Sequence, residues 1–187
     1  MPAIEALGAA TVLCVDKTGT LTLNQMTLKE LRVGGQSADL VEGAVSLSEA
    51  FRTLLENAIL ACKRQPFDAM ERALHAAGAR SLGDGDLRPG WTIVREYPLT
   101  SKLLAMTNVW RSEGSDRVVV SSKGAPEAIA ELCRLSPERR ESMMRDVAAL
   151  ASKGLRVLGV ARAEMAVHGM PDEHAALELA YVGLVGL

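Results

Sequence analysis

The sequence predicts an α+β fold: a mainly antiparallel twisted sheet flanked by helices, with one strand leading in and another leading out. Three observations carry this prediction. Between residues 91 and 122 three β-rich runs follow one another, with hairpin composition between the second and third. Capped segments of helical periodicity stand on either side of them. Near the two ends, Ala10 to Val15 and Leu179 to Leu187 are short continuous apolar runs of the kind that fill a buried strand.

Taken in order, Ala10 to Val15 predicts a strand that gives way abruptly to the polar loop Asp16-Lys17-Thr18-Gly19-Thr20. Thr27 to Val33 is extended and breaks at Gly34-Gly35. Ser46 or Ser48 can cap a helix whose Phe51, Leu54, Leu55, Ala58, Ile59 and Cys62 share one face. Gln65-Pro66-Phe67 interrupts, and Asp68 with Glu71 three residues later opens a second helix through Leu74 toward Gly78. Gly83-Asp84-Gly85-Asp86 has the composition of a flexible loop. The β-rich runs are Trp91 to Leu99, Leu103 to Trp110 and Val118 to Ser122, an antiparallel meander with its second turn at Ser112-Glu113-Gly114-Ser115. Pro126 begins a short helix to Leu132, and Ser136-Pro137 opens a long one through Met143, Val147 and Leu150, closed by Gly154. Leu155 to Ala161 and Leu179 to Leu187 return as strands, and no internal repeat is present.

At 187 residues the chain is long enough for one good-sized domain, or a domain plus part of another. Hydrophobic residues at 48% and charged residues at 24% exclude a disordered tail, a collagen-like fibre and a low-complexity linker. Aromatics at 3% leave core volume to Leu, Val, Ala and the eight Met. A net charge of -2 removes the broad electrostatic reason to expect nucleic acid or an anionic membrane as a partner. Cys14, Cys62 and Cys133 lie far apart, without zinc spacing or a disulfide framework, and read as small buried hydrophobes in a reducing compartment. No apolar run approaches the roughly 18 to 20 residues of a membrane span, and the first residues lack a signal peptide's features, so a soluble, cytosol-type polypeptide is expected. An end inside a strand-like run, Tyr181 to Leu187, predicts a piece of something longer.

Asp16 stands at the carboxyl end of the first apolar run, where open α/β sheets place their chemistry. With small hydroxyl residues, Gly19 and the Lys17 ammonium after it, such a carboxylate can attack phosphorus or hold Mg²⁺. An isolated aspartate there would more readily be one that merely satisfies backbone donors in a turn. The whole string Asp16-Lys17-Thr18-Gly19-Thr20-Leu21-Thr22 closely resembles the phosphorylation motif of the P-type ATPases, ion pumps that pass through an aspartyl-phosphate. The resemblance implies that Asp16 accepts the γ-phosphoryl group of ATP, Lys17 neutralises charge, the Thr18 backbone carbonyl joins Asp16 in the Mg²⁺ shell, and Thr20 supports the loop. Phosphatases of the same haloacid-dehalogenase superfamily carry a second Asp where Thr18 stands, as general acid and base. Its absence suits a longer-lived phosphoenzyme.

Lys123-Gly124-Ala125-Pro126-Glu127, at a strand-to-helix turn, is similar to the nucleotide-domain motif of P-type ATPases that pump Ca²⁺, H⁺ and related cations. Gly124 and Ala125 would let a flat ligand approach the backbone, and the resemblance implies that Lys123 and Gly124 line the adenine pocket. Asp68 and Glu71 read equally well as a capping box. Glu71, within Met70-Glu71-Arg72-Ala73-Leu74, also resembles the family's acidic residue that accepts from the adenine amino group, and one residue cannot fully serve both tasks. The resemblance makes Tyr97 the aromatic that stacks on adenine, a contact worth about 1–3 kcal/mol, and places Lys102 near the phosphates. The Arg- and Asp-rich stretch of many relatives is here Pro98-Leu99-Thr100-Ser101. Arg156, in Gly154-Leu155-Arg156-Val157-Leu158, matches the arginine that bridges the phosphates and the aspartate loop.

The resemblance implies three regions: 1–27 as the start of the phosphorylation domain, 28–178 as the nucleotide-binding domain and 179–187 as a strand returning to a haloacid-dehalogenase-like phosphorylation domain. It further implies a cation-transporting ATPase whose ligands are ATP and Mg²⁺, and whose partners are the phosphorylation, actuator and membrane domains of the same pump. The intact protein would be multi-pass in the cell membrane, with this segment cytoplasmic. Alone, the chain is expected to bind adenine nucleotide modestly and to turn over no ATP. The other readings open at this point are a haloacid-dehalogenase-type phosphatase or phosphomutase with a large cap, and a non-catalytic binding module.

Overall fold

The computed structural model describes residues 11, 12, 14, 25–40, 46–83 and 87–187, which build one seven-stranded, wholly antiparallel sheet. The strand at 10–15 falls mostly, and the aspartate loop at 16–22 entirely, outside the described residues, as do Asp84 to Asp86 of the expected glycine-rich loop. Strands β1 (Glu30–Val33) and β2 (Gln36–Asp39) form a hairpin around Gly34 and Gly35, both at positive φ. The sequence announces only the break; β2 reads Gln-Ser-Ala-Asp, a mostly exposed edge strand without a hydrophobic alternation to reveal it.

Helix α1 (Glu49–Leu60) begins at Ser48 and buries Phe51, Leu54, Leu55, Ala58 and Ile59, the stripe its 3.6 period predicts. Helix α2 (Ala69–Leu82) runs one turn past Gly78. Strands β3 (Trp91–Tyr97), β4 (Ala105–Ser112) and β5 (Arg117–Gly124) make the expected meander. Helix α3 (Pro126–Leu132) and helix α4 (Pro137–Ala151) follow, the second capped by Ser136 and closed by Gly154 at φ 78°. Strands β6 (Val157–Ala166) and β7 (Ala180–Gly186) complete the order β2-β1-β7-β6-β5-β4-β3.

β7 pairs with β1 along one edge and β6 along the other, so Ala180–Gly186 is an inner strand of this sheet. The reason is steric as well as polar: a Cβ on Gly183 would lie 2.3 Å from the Arg32 carbonyl oxygen, so this position is shaped for close approach to β1.

Period-2 alternation divides the core between two faces. Leu31, Val160 and Val185 pack with Leu54, Leu55 and Leu74 of α1 and α2 on one side. On the other, Val118 and Val120 pack with Ile129 of α3 and with Leu177, while Leu184 meets Met143 and Leu150 of α4. An ion-pair chain ties β1 to α4: Glu30 is buried, accepts from Arg32 (2.9 Å) and Lys153, and Arg32 reaches Asp146 (2.9 Å). Burial alone would raise the Glu30 carboxyl, but the hydrogen bonds from Lys153 and Arg32 hold it below the ordinary carboxylate value.

Candidate functional site

The same alternation that sends Val118 and Val120 to one face sends Ser121 and Lys123 toward α1 and α2. Ser121 donates to Asn57 Oδ1 at 2.8 Å. From β4, Asn108 donates to the carbonyls of Leu60 (3.0 Å) and Cys62 (2.7 Å), and the Trp110 indole N–H donates to Leu60 (2.8 Å). These bonds satisfy carbonyls that the end of α1 would leave without helical partners. They also fix the α1–α2 connection against the sheet.

Lys123 Nζ then meets Glu71 Oε1 at 2.7 Å and donates to Cys62 Sγ at 2.9 Å. The pair is almost wholly buried, Lys123 being 6% and Glu71 2% exposed. Each charge therefore depends on the other. Asp68 caps α2 by accepting from the Glu71 backbone N–H at 2.9 Å, while the Glu71 carboxylate accepts from Lys123 and from the Lys63 N–H at 3.3 Å. The helix cap and the buried ion pair are thus divided between the two carboxylates. Burial pushes the neighbouring Cys62 thiol up to about 11, so it remains a thiol rather than a thiolate near neutrality.

A cavity of about 320 Å³ opens over this pair at the ends of β4, β5 and β6. Its walls are mostly aliphatic, from Met70, Leu99, Leu104, Met106 and Leu158, with Asp68, Glu71, Lys123 and Arg156 as the charged groups. The backbone of Gly124 and Ala125 forms one side. A flat, mostly apolar ligand with a few edge donors and acceptors suits such a lining. Among the described residues no group of three or more His, Cys, Asp or Glu could hold a metal ion.

Residues 56–187 match the P-type ATPase cytoplasmic domain N. The chain belongs to the P-type ATPases. It is 31% identical over 86% of its length to calcium-transporting ATPase 1 of Lactococcus lactis subsp. lactis. Over its whole length it is 28% identical to calcium-transporting ATPase 1 of Bacillus cereus and 28% identical to potassium-transporting ATPase alpha chain 2 of Cavia porcellus. The matched part covers 20%, 23% and 22% of these relatives, so the chain spans about a fifth of their length.

Of the residues that the P-type ATPase resemblance singles out, Glu71, Lys123, Gly124, Ala125 and Arg156 line this one cavity. Arg156 is an exposed residue at its mouth, its backbone laddered to Leu187 in both directions (2.8 and 2.9 Å). Asp16, Lys17 and Thr18 lie outside the described residues. Lys102 is exposed in the β3–β4 connection and takes no part in the lining.

Tyr97 does not line the cavity either. It pairs with Thr107, whose hydroxyl belongs to the opposite face with Ser122 and His174, so the ring goes to that face too. There it stacks on His174 (centroids 5.2 Å apart), lies under the Arg95 guanidinium at 5.3 Å and donates its hydroxyl to the Pro171 carbonyl. Only 5% of Tyr97 is exposed, with His174 and Arg95 against its ring, on the face away from the cavity. The side chains that take this wall are Leu99 and Leu104, 57% and 50% exposed. Their signal in the sequence is an excess of leucine in a short exposed turn, Pro98 to Leu104.

Gly124 has a second reason to be glycine. A Cβ there would lie 2.3 Å from the Leu104 carbonyl oxygen and 2.5 Å from Ala105 Cα. Close approach of β4, rather than of a ligand, fills that space. The Ala125 N–H donates to the same Leu104 carbonyl at 2.8 Å, which locks the turn into α3.

Proposed function

We propose that this cavity binds the adenine end of ATP and that the chain serves as the nucleotide-binding part of a cation-transporting P-type ATPase. The observation that carries the reading is the buried Lys123–Glu71 pair set in an aliphatic slot. A purine needs apolar contact on its faces and a few polar partners at its edge. Leu99, Leu104 and Met106 offer the first, and the Glu71 carboxylate offers an acceptor for the exocyclic amino group. Lys123 fixes the direction of that carboxylate through their 2.7 Å contact. Arg156, an exposed cation among the lining residues, would meet phosphate.

In the whole pump, Asp16 would take up the γ-phosphoryl group, with Lys17 offsetting charge and Asp16 and the Thr18 carbonyl as ligands of Mg²⁺. The relatives' names give calcium in two cases and potassium in a third, so the ion is assigned no further than a cation. Among the described residues no helix is long and apolar enough to cross a membrane, in keeping with a role outside the bilayer while other domains carry the ion.

Titration of the chain with ATP, AMP and GTP, followed by residue-resolved NMR, tests the reading. Saturating shifts at Glu71, Leu99, Leu104 and Lys123 are expected, largely retained with AMP and weaker with GTP, whose six-position bears an oxygen. Leu99→Asp should reduce affinity at least tenfold by placing charge against the base. No saturation at millimolar ATP would overturn the assignment.

A further inference from the structure

Beside the Lys123–Glu71 pair lies a second cavity, of about 290 Å³, which the nucleotide reading leaves unused. Helix α2 joins the two: Glu71 reaches the first, and His75, one turn later, lines the second. Cys62 stands between them, lining the second cavity while its sulfur receives the Lys123 ammonium.

This cavity presents three kinds of surface. Leu87 and Trp110 give apolar walls, and the indole N–H is already committed to Leu60. Lys63 and Arg64 form a cationic rim, both exposed. The Arg64 guanidinium sits 5.4 Å from the Trp110 ring centroid and donates to the Trp91 carbonyl, a bond that uses only part of its five-donor fork. His75 supplies the third surface. Its Nε2 is buried without a hydrogen-bond partner among the described residues. Burial holds the ring below its ordinary pKa, and the Lys63 backbone hydrogen-bonds it. A neutral imidazole that donates one N–H to a backbone carbonyl offers its other nitrogen as an acceptor.

We propose that this cavity is a second small-molecule site, for a hydroxy-aromatic carboxylate. Its hydroxyl donates to His75 Nε2, its ring packs against Trp110 and Leu87, and its carboxylate meets Arg64 and Lys63. An occupant touches Cys62 and so the group that positions Lys123; this coupling rests on the nucleotide reading, whereas the site itself does not.

The test uses 4-hydroxybenzoate as the probe, titrated into the full chain and followed by NMR, with benzoate in parallel. Saturating shifts at His75, Leu87 and the Trp110 indole N–H are expected, with benzoate binding about tenfold more weakly for want of the hydroxyl donor. His75→Leu should erase the difference between the two acids, and Arg64→Ala should weaken both. The wild-type comparison decides the matter even where a variant is unfolded. Absence of saturation, equal affinity of the two acids, or persistence of their difference in His75→Leu would overturn the site. In a separate arm, a threefold change in ATP affinity at saturating 4-hydroxybenzoate supports the coupling; unchanged ATP affinity removes the coupling and leaves the site, and absent ATP binding removes the nucleotide reading alone.

Discussion

Lys123 and Glu71 concentrate the energetic tension of the molecule in two side chains. Both are desolvated, and desolvation of an ion pair offsets much of its Coulomb attraction, so the pair as a whole adds little to stability. Removing one partner is different, because the other is left charged in a poor solvent. Lys123→Met should cost about 3–5 kcal/mol, Glu71→Leu a similar amount, and the double variant markedly less than their sum. Urea unfolding of the four proteins measures the cycle, and simple additivity would count against a directly coupled pair. Nucleotide affinity should be lost in all three variants, including the double variant that regains stability. The contrast with Glu30 is informative: its partners Lys153 and Arg32 are partly exposed, and it ties β1 to α4.

At the scale of elements, the site is assembled by the meeting of β4 and β5 with the α1–α2 connection. Asn108 and Trp110 secure that connection by its carbonyls, and the turn at Gly124 brings the start of α3 against the same cavity. Gly124→Ala places a methyl group where the Leu104 carbonyl and Ala105 already stand, and should destabilise by about 1–3 kcal/mol. Gly169→Ala is the control: a Cβ there meets nothing within 4 Å, so a change within about 0.5 kcal/mol is expected. Thermal unfolding of the two variants compares them; equal midpoints would remove the steric account of Gly124. The helices and the meander are legible in the sequence because caps, periodicity and turn composition are local signals, as Ser136-Pro137 and Gly154 show for α4. Strand β2 carries no such signal.

For the whole molecule, the decisive feature is that the last strand is an inner one. β7 supplies both edges of its backbone to the sheet, and its Leu184 and Val185 enter the cores on opposite faces. A chain ending at residue 178 would expose the facing edges of β1 and β6 and lose part of each core. It should give no cooperative unfolding transition and poor NMR dispersion, whereas a retained wild-type midpoint would show β7 to be dispensable. The sheet therefore closes only when residues 30–33 and 180–186 meet, a pairing across nearly the whole described chain.

From the sequence alone came the α+β class, the meander, four helices, the Asp68 and Ser136 caps of two of them, and the ATPase family, because each rests on contiguous residues. The same reading found five of the cavity's residues: Glu71, Lys123, Gly124, Ala125 and Arg156. Tertiary structure decided which face each side chain takes. Tyr97 lost its expected place to Leu99 and Leu104 because its register opposite Thr107 turns it to the other side of the sheet, and a one-residue change of phase in a strand reverses every side chain. It decided equally that Glu71 turns to Lys123 and leaves the cap to Asp68, and that β7 belongs within the sheet. Pairings such as Lys123 with Glu71, 52 positions apart, and Glu30 with Gly186 across β1 and β7, are set by packing and by the shared need to satisfy buried polar groups, and neither is written in any local run of residues.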